Sequence, residues 1–155
     1  MTATQNRNNM FVFFVSFFLK KKEVIYVRMK ILVKMEIEGL PPTVNLLYRN
    51  SGHVRYKTAS GRKYQEHVSA LLRQQWRNRL PCEKPVEFRI TFTSNDMRRW
   101  DIDNRVKALQ DCLSMAGIIK DDRQVDILHV ERKKGTDLNT YIEVIEIDTA
   151  ERISD

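Results

Sequence analysis

The residues of this chain best suited to chemistry are acids at short, regular spacing. In "RRWDIDNRVKALQDCLSMAGIIKDD", Asp101 and Asp103 flank one isoleucine, Lys107 and Asp111 follow at successive helical turns, and Asp121 and Asp122 close the segment. Two carboxylates held that close repel each other unless something neutralises them. A hard divalent cation does so, and oxygen ligands suit Mg2+, which keeps several waters for a substrate to displace. An ammonium at Lys107, beside a metal-bound phosphate, would offset charge developing in a transition state. Plainer roles exist for the same residues. An aspartate at a helix start is a common cap, and an acid four residues from a lysine is a surface pair worth roughly 0.3–0.5 kcal/mol. The cap accounts for Asp103 and leaves Asp101 unexplained.

These side chains need elements to hold them. Val106, Leu109, Leu113 and Ala116 give one apolar stripe at helical spacing, and Gly117 is a suitable stop. Asp103 then falls at the N-cap or in the first turn, and Asp101 in an extended segment just outside. An extended chain would turn Asp101 and Asp103 to the same side. After Gly117, "KDD" brings Asp121 or Asp122 back toward the first pair. Upstream, "VEFRITFTS" (86–94) alternates strictly and reads as a strand. A helix is expected over about 60–78 from Tyr64, Val68, Leu71, Leu72 and Trp76, and a strand over 29–40. Residues 43–60 read as a polar loop without a sustained period, and loops of that length are usually functional or disordered. "QVDILHVERKK" and "TYIEVIEID" read as two more strands, joined as a hairpin. The expected fold is α+β, a mixed β-sheet with two main helices packed on it.

At 155 residues, 42% of them hydrophobic, the chain is the size of one domain with one core. Its net charge of +7 favours an anionic partner, but the stretch before Met29 holds five cations and one acid, leaving only +3 for the remainder. That leader contains "FVFFVSFFL", too short an apolar run to span a bilayer, which takes roughly 20 residues, and lacking a signal peptide's cleavage site. Its aromatic and β-branched residues could pair as a strand; residues 1–28 are expected to be an N-terminal extension outside the core, with the working domain at 29–150, and no membrane association is expected. Cys82 and Cys112 read as reduced thiols of a cytoplasmic protein. His53, His67 and His129 lack ligand spacing.

The segment resembles the signature of the RusA family of Holliday junction resolvases, small endonucleases of phages and prophages. Its D-x-D-N opening, lysine, aspartate-bearing helix and G-x-x-x-D-D close are matched by Asp101, Asp103, Asn104, Lys107, Asp111, Gly117, Asp121 and Asp122. "GLPPTVN", ending at Asn45, resembles the family's proline-rich opening, and Thr58, Gly61 and Tyr64 its entry to the first helix. The resemblance runs from about Lys30 to Asp148. It implies a homodimer that cuts four-way DNA junctions with two symmetric nicks, using Mg2+, in recombination and repair. It also implies Asp101, Asp103 and Asp122 as catalytic metal ligands and Lys107 as the catalytic lysine. One departure stands out: where the family often has a basic residue before the first aspartate, this chain has Trp100, with Arg98 and Arg99 earlier.

For DNA contact the expected residues are Asn45, Lys57, Arg98, Arg99 and Trp100, with Arg55, Arg62 and Lys63 as further phosphate contacts. Trp100 has two roles open to it, stacking on an unpaired base or packing in the core. Two other functions fit the same residues: a non-cleaving branched-DNA-binding module, and a metal nuclease acting on other branched DNA.

Overall fold

The computed structural model describes residues 3–6, 10–19, 23–77, 79–96 and 100–152, and side chains between 29 and 148 within those spans. Among the described residues eight strands and three helices follow one another: β1 (Ala3–Asn6), β2 (Met10–Leu19), β3 (Glu23–Glu38), α1 (Val44–Leu47), β4 (Tyr48–Ser51), β5 (Val54–Lys57), α2 (Ala59–Trp76), β6 (Val86–Ser94), α3 (Val106–Met115), β7 (Val125–Lys134) and β8 (Asn139–Arg152). Single 3-10 turns, Asp103–Arg105 and Asp122–Gln124, precede α3 and β7. The main sheet has the order β1-β2-β3-β8-β6-β7, with β6 and β7 parallel and the other neighbours antiparallel. The expected α+β class, a mixed sheet carrying two main helices, is what the chain adopts.

Strict alternation makes β6 the spine. Val86, Phe88, Ile90 and Phe92 are fully buried on one face, while Arg89 on the other is exposed. α2 packs with Val68, Leu72 and Trp76, and α3 with Val106, Leu109 and Leu113, all in one core cluster. Full burial of each large apolar side chain contributes roughly 1.5–3 kcal/mol relative to exposure. Both cysteines are free and buried.

The termini of the helices follow local chemistry. Thr58 caps α2, its hydroxyl accepting from Gly61 N at 3.0 Å. A Cβ on Gly61 would stand 2.9 Å from the Leu47 carbonyl oxygen and side chain, so only glycine lets α1 lie this close. α3 ends in a paired 6→1 and 5→2 arrangement, Ile118 N to Leu113 O and Gly117 N to Ser114 O, with Gly117 at φ +72. The expected glycine stop is present.

Two expectations fail. β7 and β8 do not form a hairpin, because β6 lies between them. Most of β7 is exposed and suits an edge, whereas β8 buries Ile142, Val144 and Ile145 and needs a neighbour on each side. The connection crosses the end of β6, with Gly135 N donating to Ser94 O at 3.0 Å. Residues 43–60 are not a structureless loop either; they form α1 and a separate two-stranded ribbon, β4–β5. The strand expected at 29–40 begins earlier, at Glu23, and β1 and β2 continue the sheet beyond it. Among the described residues no helix is long and apolar enough to cross a membrane.

Candidate active site

Lys107 stands in the first turn of α3, and its ammonium lies between two acids. It bonds Asp111 Oδ1 at 3.0 Å, one turn along the same helix, and makes a shorter contact with Asp122 Oδ2 across the returning chain. The bond to Asp122 is the main reason the ammonium's pKa is pushed up to about 12. The same bond holds the Asp122 carboxyl below the usual carboxylate range. Both groups are therefore charged at neutral pH.

Asp111 is the hub beneath Lys107. Its side chain is only 14% exposed, so its oxygens need partners. Oδ2 accepts from the Tyr48 hydroxyl and from Gln65 Nε2, both at 3.0 Å. Gln65 uses the other end of its amide to accept from Lys57 Nζ at 2.8 Å, and Lys57 Nζ lies 3.8 Å from Asp111. Burial first, and the Asp111 bond second, raise the Tyr48 hydroxyl's pKa, which keeps it a donor. Four elements, β4, β5, α2 and α3, thus meet on one carboxylate. Tyr48, Lys57, Lys107, Asp111, Asp121 and Asp122 line the same open cleft of about 420 Å3.

The turn before α3 is built differently. Asn104 Oδ1 accepts from Val44 N at 3.2 Å, and Arg105 Nη1 donates to Pro41 O, so both tie the turn to the proline segment ahead of α1. Asp101 and Asp103 are exposed. Neither carboxylate has a hydrogen bond or ion pair among the described residues. Ile102 between them is helical, with φ -68 and ψ -37, so the alternation expected of an extended chain does not relate the two acids. Asp103 and Lys107 are one turn apart, which makes them neighbours on the helix surface.

Asp121 and Asp122 have separate tasks. Asp121 caps the turn Asp122–Gln124, accepting from Arg123 N at 2.9 Å, while Gln124 Oε1 accepts from Asp121 N at 3.1 Å. That leaves Asp122 to face Lys107. The donor set of Asp101, Asp103 and Asp122, all hard carboxylate oxygens, suits a divalent cation in kind. Among the described residues, no three His, Cys, Asp or Glu side chains form a ready-made group for one.

The expected DNA contacts divide. Lys57 joins the Asp111 network, and exposed Asn45 lines a small cleft with Asn50 and Arg55. Trp100 packs edge to face on Phe92, with ring centroids 5.4 Å apart. The guanidiniums of Arg105 and Arg132 stand over its ring at 4.9 and 5.2 Å, so a stacking base would compete with them. Arg98 and Arg99 lie outside the described residues. Tyr48 and Gln65 escaped the sequence reading. Gln65 had a signal, being with Ser69 one of two polar members of the buried α2 stripe that includes Gly61, Val68 and Leu72.

Comparison with known proteins bears out the resemblance. A family model described as Endodeoxyribonuclease RusA matches residues 38–145, a span containing every candidate residue from Asn45 to Asp122. The chain is 35% identical over 94 residues to the crossover junction endodeoxyribonuclease of Enterobacteria phage HK97, covering 59% of this chain and 76% of that one. To the crossover junction endodeoxyribonuclease RusA of Escherichia coli strain K12 it is 34% identical over 85 residues, 55% of this chain and 70% of the relative.

Proposed function

The chain belongs to the RusA family of endodeoxyribonucleases, and from that premise we propose that it resolves four-way DNA junctions by paired, symmetric, Mg2+-dependent nicks in recombination and repair. The observation that carries this reading is Lys107, an ammonium charged at neutral pH and held between Asp111 and Asp122 in an open cleft.

In this reading Lys107 meets the scissile phosphate and offsets the charge that builds on its oxygens as the phosphodiester bond breaks. Asp111 sets the direction of the ammonium and is itself fixed by Tyr48 and Gln65. Asp101, Asp103 and Asp122 would hold Mg2+, which when bound polarises the phosphate and lowers the pKa of a water nucleophile. Asn45, Lys57, Arg98, Arg99 and Trp100 position the DNA, chiefly through its backbone. One such site makes one cut, so two opposed cuts call for a two-fold homodimer. The working domain is residues 29–150, with 1–28 an extension; the family match at 38–145 supports that division.

The test is a labelled four-way junction, a flap and a linear duplex, each incubated with the chain begun at Met1 or at Met29, with and without Mg2+. Paired nicks in the junction alone, from both forms and only with Mg2+, are expected. Lys107→Met should slow them by about 100-fold or more while junction binding persists. Binding without products would make the protein a non-cleaving module, and equal cutting of flaps a broader branched-DNA nuclease.

A further inference from the structure

The ribbon β4–β5 has two unlike faces. In its register Tyr48 opposes Lys57 and Asn50 opposes Arg55, while Arg49 opposes Tyr56 and Ser51 opposes Val54. Residues directly opposite each other in an antiparallel pair share a face. The first face is tied to the body of the protein: Tyr48 and Lys57 reach the Asp111 network, and Arg55 lies over the Tyr48 ring at 4.3 Å. The second face meets nothing comparable. Val54 is 65% exposed and Tyr56 45%, and Leu46 beside the ribbon is 58% exposed.

Charge identifies what such a face would meet. From Gly39 to Gln65 the chain has no carboxylate and five cations, Arg49, Arg55, Lys57, Arg62 and Lys63. A protein partner with an apolar patch would not require that bias, whereas a polyanion does. An aromatic ring and a branched aliphatic side chain among phosphate-binding cations suit a nucleic acid whose base faces are uncovered. Intact duplex hides those faces; a branch point exposes them. We propose that the β4–β5 ribbon is the branch-point probe of this protein, Val54 and Tyr56 lying against unstacked bases at the crossover while Arg49, on the same face, holds a flanking phosphate.

This rests on the junction reading above and extends it. The root of the probe and the ammonium of Lys107 share Asp111, so a crossover seated on the ribbon sets its phosphates in fixed register with the cleft. Shape selection and cutting then use one connected framework.

The experiment uses full-length protein in EDTA, so that DNA stays uncut, with a four-way junction carrying 2-aminopurine at the crossover. Wild-type protein should raise the 2-aminopurine fluorescence. Val54→Ser/Tyr56→Ser should abolish that rise and weaken junction binding by roughly 10-fold, with duplex binding and urea midpoint unchanged. Tyr56→Trp covers the case in which the double variant fails to fold: its added indole emission should be quenched by junction and not by duplex. The inference is overturned if the double variant keeps the fluorescence rise, if it loses junction and duplex affinity equally, or if the new indole is unquenched. It is also overturned if the double substitution converts a dimer to monomers, which would make this face a contact between copies. A wild-type protein that binds junctions with the full signal but never nicks them would refute the nuclease reading and leave the probe standing.

Discussion

Two single-turn 3-10 helices, each beginning with an aspartate, frame Lys107, and the chain treats them in opposite ways. The turn Asp122–Gln124 has a complete capping box from Asp121 and Gln124. Gln124 Nε2 also donates to Cys82 O at 2.8 Å and to Lys84 O at 3.0 Å. The turn Asp103–Arg105 has no side-chain cap. It is held by Asn104 and Arg105, reaching back to Val44 and Pro41. In the first case an acid builds the turn and its neighbour faces the lysine. In the second, non-acidic side chains do the building and both acids stay uncommitted. A carboxylate that caps a turn has spent its lone pairs on backbone N–H groups. One left bare in water adds nothing to folding and remains free to take up a ligand.

That contrast gives predictions of graded size. The largest concerns the bare acids. Asp101→Asn and Asp103→Asn should each lower the nicking rate by about 1000-fold or more with no change in urea midpoint. A stability loss typical of a cap, or nicking that survives, would erase the distinction between the turns. Next is Asp121→Ala, which removes a cap and should cost about 1 kcal/mol, lowering Tm by roughly 2–4 °C, while nicking stays within a few-fold of wild type. Nicking lost with the melting temperature intact would move Asp121 into the chemistry. The smallest effect is in pH. Because Lys107 depresses the Asp122 carboxyl, its contribution to stability is complete above the ordinary value of 3.8 and is lost as pH falls through the lower folded value. The urea-midpoint gap between wild type and Asp122→Asn should therefore be flat near neutrality and close in strong acid. A gap that widens in acid would contradict the pairing.

The parts that were legible in sequence are those whose partners are local. β6 declared itself because one of its faces is buried and apolar and polar residues alternate from Val86 to Thr93. α3 and its stop were readable because the stripe and Gly117 depend only on near neighbours. The ribbon β4–β5 was not, since nearly all its positions are exposed and no period of two can show. Which strand β8 pairs with was also hidden, because insertion of β6 is decided by burial across the whole sheet. Among the site residues, Lys107 could be named from its type and spacing, whereas spacing left Asp121 and Asp122 both open and only the family resemblance chose Asp122. Tyr48 could not, and Gln65 only as a polar residue on the α2 stripe, because what qualifies both is a shared bond to Asp111, 63 and 46 residues away.

The sheet order also constrains synthesis. β8 fills the slot between β3 and β6, yet it follows both along the chain. While the ribosome is still making β8, those two strands have backbone edges with no mate between them, and the helices have only part of a platform to settle on. The fold must therefore close late, all at once, when the missing slat arrives. Until then, nascent chains are at their most exposed to mispairing with one another.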